Sequence, residues 1–438
     1  MVRHSWWNRL AAVGTAILLA VTVTTAADAQ LAKPKKKKGE TEQAAPGSEY
    51  SDEFRKQASK VQPLVNEKKW AEVLAALPAL EALPAKTPAD DRAIATWRLQ
   101  AAQGAGDQDQ FAAAVENFLS RGYADAAQTS AMHQSLAAHY NNKKDRAKTV
   151  YHYQKFVDAT PDVEPDELET LGRLYRQNSQ FAEAAGWFTK AIDLASSKGL
   201  KPKEELFQLR DHCLLETRDD DGRLANLEAA VALYPDKKYY SNIVALYQGA
   251  SKDDRVVMMN AYRLAVTDPR GGLATVGGYL NYADMALTFG SPGEAMRALE
   301  RGIKEGIVPG VGTNQQTLNE AKAAVAADQK TLAAESASAG RNPKGDVSVK
   351  VGLGYYSTGN YEKAAELVRQ GIGKGGVARL DDANLLLGAA LMELGRRDEA
   401  KAAFEAAAGA ATDANLARVA RLWLARAMRE DTLAPAGG

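Results

Sequence analysis

Between residues 165 and 198, apolar and small side chains recur at Leu171, Gly172, Tyr175, Phe181, Ala184, Phe188 and Ala191, with polar residues between them. Within each half the steps are three or four residues, which puts these positions on one face of a helix. The pattern predicts two helices folded back on each other. Small residues at Gly172 and Ala184 let the pair approach closely, and the aromatic rings fill the space toward the next pair.

The same phasing recurs along the chain. Residues 345–378 carry Gly352, Tyr355, Tyr361 and Ala364 at equivalent places, and 381–414 carry Leu387, Gly388, Leu391, Ala400, Phe404 and Ala407. Upstream, 130–163 supplies Leu136, Ala137, Tyr140, Tyr153 and Pro161, and 276–309 supplies Tyr282, Ala283, Ala286, Ala295 and Leu299. Fainter units start near 204 and 237, the second needing a longer turn between its helices. Trp70, Val73 and Leu77 mark a unit at 54–87, and Phe111, Ala114 and Phe118 one at 95–128.

This series resembles the tetratricopeptide repeat, a helix-turn-helix unit of about 34 residues. The resemblance covers nearly all of residues 52–430 and implies an all-α fold, a superhelical solenoid of antiparallel helix-turn-helix repeats. It divides the chain into repeats at 52–309, an inserted helix and loop at 310–344, two further units at 345–414, and a capping helix with a tail at 415–438. The loop is expected within "ASAGRNPKGD". A terminal helix covers the apolar face that an open-ended stack leaves in water.

The N-terminus is a separate object. Arg3 and Arg9 precede an apolar run from Leu10 to about Ala26, and small residues stand at Ala27 and Ala29. A basic head, apolar middle and A-x-A end predict a secretory signal over 1–29, cleaved after Ala29, and a bacterial periplasmic or envelope location. Residues 30–51 follow as a linker with Lys33, Lys35, Lys36, Lys37 and Lys38 and no apolar period. Two readings stay open for it: a solvated tether, or electrostatic contact with an anionic envelope polymer or lipid.

Composition narrows the function classes. Lysine plus arginine equals aspartate plus glutamate, 55 of each, so no global field points to nucleic acid. The one cysteine, Cys213, cannot form an intramolecular disulfide and sits among apolar residues. His133, His139 and His152 fall in one repeat at spacings that do not share a helix face, so no metal site is expected. No nucleotide-binding or nucleophile motif occurs, and no catalytic residue or cofactor is assigned.

What remains is surface. The resemblance implies a concave face lined by the first helix of each unit. In unit 165–198 that face holds Asp166, Glu169, Arg173, Arg176 and Gln177, and the preceding unit adds Asn141 and Asn142. The lysine and asparagine set with which some family members clamp a peptide carboxylate is missing. The last two units instead present Val349, Leu353, Tyr356, Leu385, Ala389 and Met392, an apolar strip suited to a partner's helix or extended peptide. An alternative occupant is the chain's own helix at 414–430. The chain is therefore expected to be a non-enzymatic scaffold for a protein or peptide partner. A cell-wall or polysaccharide-associated accessory of an export or synthesis machine is the alternative.

Overall fold

The computed structural model describes residues 49–250 and 254–429. The signal, the lysine run and the C-terminal tail lie outside the described residues. Twenty α-helices and no strand occur among the described residues, in two compact units that end and begin at Leu209 and Arg210.

The first unit contains α1 (Asp52–Asn66), α2 (Trp70–Glu81), α3 (Pro88–Ala105), α4 (Gln108–Ser120), α5 (Ala126–Asn142), α6 (Arg146–Asp158), α7 (Pro165–Gln177) and α8 (Phe181–Ser197). Helix α9 (Glu204–Glu216) spans the division. The second unit continues with α10 (Asp220–Leu233), α11 (Lys237–Ala250), α12 (Arg255–Thr267), α13 (Val276–Thr288), α14 (Pro292–Lys304) and α15 (Gly312–Arg341). It ends with α16 (Gly345–Ser357), α17 (Tyr361–Lys374), α18 (Leu380–Glu393), α19 (Arg397–Ala410) and α20 (Ala414–Met428). In each unit successive helices pack on their chain neighbours, the arrangement of an α-solenoid.

Local chemistry explains where helices start and stop. The side chains of Ser51, Thr87, Asp107, Asp125 and Asp145 accept first-turn amide hydrogens, removing donors that a helix N-terminus leaves unmatched. Most hairpins turn through one left-handed residue: Lys68, Gly106, Lys144, Ser179, Arg218, Gly290, Gly359 and Gly395. In seven of these turns the next amide donates five residues back, as Gln180 N does to the Tyr175 carbonyl at 3.0 Å and Arg396 N to the Leu391 carbonyl at 2.9 Å. This closes the Schellman motif that ends a helix. Lys68, Lys144, Ser179, Arg218, Gly290, Gly359 and Gly395 all occupy the fifteenth place of the units read from sequence. Gly106 does not: the second hairpin begins earlier than residue 95, because α3 opens on the Thr87 cap.

Close approach inside the hairpins falls at the predicted small residues. A Cβ at Gly172 would stand 2.8 Å from Phe188, one at Gly352 would stand 2.7 Å from Val368, and one at Gly388 would stand 2.3 Å from Phe404. The glycine is required by packing here, since its backbone freedom is a liability within a helix.

Residues 310–344 differ from expectation. Helix α15 is 30 residues long and runs through the first half of the stretch expected to be a loop, stopping at Arg341, two residues before Pro343. Buried Leu318, Val325, Leu332 and Ala339 recur every seven residues and hold one face of α15 to its neighbours. At its end Lys374 Nζ donates to the carbonyls of Ala339 and Asn342, at 2.7 and 2.9 Å, placing a cation on the negative helix terminus.

Candidate interaction surface

In the second unit the centre is α12, where every residue from Val257 to Val266 is buried, including Asn260 and Arg263. Arg263 meets Glu294 of α14 through two parallel bonds of 2.7 and 2.9 Å. The same carboxylate accepts from Tyr282 Oη at 2.8 Å and Ser291 Oγ at 2.7 Å. Four donors thus satisfy a carboxylate that is 2% exposed. Burial pushes the Glu294 carboxyl up, but Arg263 overcomes it and holds the group below the usual carboxylate range. Burial, followed by the Glu294 charge, raises Tyr282 far above an ordinary phenol.

This helix meets, at Tyr356, the strip that sequence assigned to a partner. Asn260 Nδ2 donates to Asp382 Oδ1 of α18 at 2.8 Å, and the Arg263 guanidinium lies 5.2 Å from the centre of the Tyr356 ring on α16. Trp423 of α20 donates to the Asn260 carbonyl at 3.3 Å. Tyr356 is 1% exposed and Leu385 is 0% exposed, so neither offers surface to another molecule, which corrects their assignment as partner-binding residues. Val349, Leu353 and Met392 are half-buried. At Tyr356 the strip is closed by the chain's own α12, with Trp423 of α20 beside it. No local pattern pairs Asn260 with Asp382 across 122 residues.

In the first unit the predicted polar residues come together but are largely satisfied. Arg173 pairs with Glu169 at 2.7 Å and with Glu205 at 2.8 Å, while Lys203 reaches Asp166 at 2.7 Å and Glu169 at 3.0 Å. Arg176 is half-buried, and its Nε has no hydrogen-bond partner. Asn141 lines a shallow depression with Lys144, Arg146 and Gln177, where Arg146 donates to the Gln177 carbonyl at 3.3 Å.

Sequence spacing separated two histidines that the α5–α6 hairpin joins. Nδ1 of His133 and Nδ1 of His152 are 3.0 Å apart, and Nε2 of His152 faces Glu116 of α4 at 3.6 Å. Burial, then the neighbouring His152, pushes the His133 pKa down to about 4, and burial lowers His152 against the pull of Glu116. The unfolded chain gains protons below about 6.5 while folded His133 resists until about 4, so this pair's contribution to stability falls across that window as pH drops. We expect the melting temperature to fall from pH 6.5 to 4 and the slope to flatten in His133→Gln. Equal slopes in the two proteins would show that the pair does not carry the effect.

Among the described residues, no group of three or more His, Cys, Asp or Glu is placed to hold a metal ion. Cys213 is buried. No helix among the described residues is long and apolar enough to cross a membrane.

Sequence reasoning passed over a cavity of about 400 Å³ among α11, α12 and α13. Met258, Met285 and Phe289 supply apolar lining, and Gln248, Asn281, Thr288, Arg255 and Asp284 supply polar groups. The repeat register would have found part of it, because Asp284 and Thr288 stand in unit 276–309 where Arg173 and Gln177 stand in unit 165–198.

Comparison with known families identifies one hairpin of this fold. Residues 381–413 match the tetratricopeptide repeat family model, so that segment, α18 and α19, is such a repeat by sequence as well as by shape. No curated protein matches the chain. Among solved structures it is similar to a tetratricopeptide repeat protein from Parabacteroides merdae, at 13% identity and a TM-score of 0.26 over 68% of this chain and 99% of that one. It is also similar to the P58(IPK) TPR domain, at 13% identity and a TM-score of 0.22 over 86% and 100% of the two chains. A third is the TPR2AB domain of yeast Sti1 in complex with a pHSP90, at 10% identity and a TM-score of 0.22 over 68% and 98%.

Proposed function

We propose that this chain is a non-enzymatic protein–protein interaction scaffold of the bacterial periplasm or envelope, which holds a peptide or helix on the concave face of its repeats. The observation that carries the reading is the phased series of hairpins, one of which matches the tetratricopeptide repeat by sequence. Such an array presents the first helices of successive hairpins as a continuous row of side chains. In this chain the row includes Arg173, Arg176 and Asn141 in the first unit, and the half-buried Val349, Leu353 and Met392 in the second. Export rests on Arg3, Arg9, the apolar run and Ala27–Ala29.

In-cell cross-linking of the tagged protein, followed by mass spectrometry, tests the scaffold. A reproducible protein partner is expected, and a mature N-terminus at Gln30. Failure to recover any protein under conditions that capture a known envelope complex would sink the reading. A cytoplasmic, unprocessed chain would sink the location. Lys35–Lys38 favour the alternative of contact with an anionic envelope polymer. Deleting them should then abolish sedimentation with envelopes at low salt, since screening acts on exposed charges over about 10 Å at 0.1 M.

A further inference from the structure

We infer that His133 and His152 form a proton wire, which takes a proton from solvent at Nε2 of His133 and delivers its charge to His152 beside Glu116, at the seam between α4 and α6. The first unit thereby carries an acid sensor whose entry is on one hairpin and whose charge comes to rest against the hairpin before it.

The geometry carries it. The two Nδ1 atoms are 3.0 Å apart and the ring centres 5.3 Å apart. The difference is the sum of two ring radii, so each Nδ1 points straight at the other and one hydrogen lies between them. The far side of the pair fixes which ring carries it. Nε2 of His152 faces Oε1 of Glu116 at 3.6 Å. A carboxylate only accepts, so that nitrogen bears hydrogen and Nδ1 of His152 is the acceptor. His133 is then the donor through Nδ1, and its Nε2 keeps a lone pair. His133 is half-buried, so its ring reaches solvent, and Nε2 has no hydrogen-bond partner among the described residues. Burial raises the Glu116 carboxyl, but the Tyr140 hydroxyl at 2.6 Å, Lys148 and His152 together hold it below the usual range, so it is charged at neutral pH.

The transfer needs only these groups and water. A solvent proton binds Nε2 of His133. The Nδ1–H bond of His133 breaks as its proton passes to Nδ1 of His152. His133 ends neutral with hydrogen on Nε2, and His152 ends as an imidazolium whose Nε2–H faces the Glu116 carboxylate. The Tyr140 ring stacks on His152 with centres 5.4 Å apart and gives the cation a π face. Lys148 and Lys155 of α6 oppose the uptake and, with burial, keep the pair neutral until the medium is acid. Tyr151 of α6 meets His152 edge-on, His139 of α5 turns to Asp109 of α4, and no group of α7 acts on either ring. Because α4 and α6 belong to successive hairpins, the arriving charge turns a loose contact between them into an ion pair.

The test reads the five histidines of the full chain, labelled at their ring nitrogens, by long-range nitrogen–proton correlation, with His133→Gln and His152→Gln assigning the pair. At neutral pH we expect hydrogen on Nδ1 of His133 and on Nε2 of His152. On acidification His152 should gain hydrogen on both nitrogens in the first step, while the hydrogen of His133 moves from Nδ1 to Nε2. In Glu116→Gln the cation should stay on His133 and the first midpoint should fall by about one pH unit, a tenfold loss of proton affinity. In His133→Gln the buried ring of His152 loses its route to solvent, so its neutral and charged forms should give two separate signals instead of one averaged signal. The inference is overturned if His133 carries hydrogen on Nε2 at neutral pH, or if the two rings charge independently with no change of tautomer. It is also overturned if His152 stays averaged in His133→Gln, and an unchanged midpoint in Glu116→Gln overturns delivery to that carboxylate. The neutral-pH assignment needs no acid, so unfolding on acidification leaves the test decisive, and an unmoved His212 signal shows that a variant keeps the fold.

Discussion

Glu294→Gln should unfold the second unit at markedly lower urea than the parent, with a loss of about 3–5 kcal/mol, because it strands the Arg263 charge in a site that is 3% exposed. The amide keeps the shape of the carboxylate, so the loss reports charge rather than volume. Arg263→Met combined with Glu294→Leu should recover most of it, since no buried charge is then left unpaired. Recovery will stop short of the parent. The Tyr282 and Ser291 hydroxyls and the Asn260 side-chain oxygen Oδ1 lose partners in the double variant, at about 1–3 kcal/mol for each group left unmatched. Urea unfolding by tryptophan fluorescence follows this through Trp423, the sole tryptophan after residue 209, once Trp70, Trp97 and Trp187 of the first unit have been replaced by phenylalanine in parent and variants alike. A double variant as unstable as Glu294→Gln would show that the pair is not the source of the effect.

Gly388→Ala should also destabilise, against the ordinary preference of helices. In an open helix the change gains about 0.5–1 kcal/mol. Here the new methyl would stand 2.3 Å from Phe404, and that ring cannot retreat. Phe404 is 0% exposed and stacks on Trp423 with ring centres 5.2 Å apart. Overpacking of this kind costs about 1–3 kcal/mol or more, which outweighs the propensity gain. We expect a net loss of about 2 kcal/mol. Phe404→Leu should couple to it, the pair losing less than the sum of the singles. A neutral Gly388→Ala would mean that α18 and α19 separate easily, contrary to their packing.

Much of the fold was legible because it is local. The left-handed turn residue, the glycine at the close approach and the aromatic that meets it all fall within one hairpin, so a single register locates them. Gly172 with Phe188 and Gly388 with Phe404 share that register. The extent of α15 was misjudged for a related reason. Its glycine and serines resembled a loop, while burial of Ala339, which only tertiary packing reveals, carried the helix to Arg341. The surface was far less legible. Helical position predicts that Tyr356 and Leu385 point to one side of their hairpins, but not that Arg263 of α12 closes over Tyr356. His133 and His152 sit on different helices, so no spacing rule for one helix joins them. The Arg255–Asp284 cavity needs three helices at once.

The way α12 is enclosed has a consequence for how the chain acquires its structure. Ordinary repeat arrays are built from nearest-neighbour contacts and can grow one hairpin at a time. The first unit fits that scheme, its described side-chain bonds reaching at most from Ser51 to Asp90, 39 residues apart. The second unit does not, because Asn260 waits for Asp382, 122 residues on, and Glu228 for Arg418, 190 residues on. Its native contact order is correspondingly high, and folding slows as distant segments must meet. A chain synthesised from its N-terminus can therefore complete the first unit early, whereas α12 stays without its final surroundings until α20 has been made.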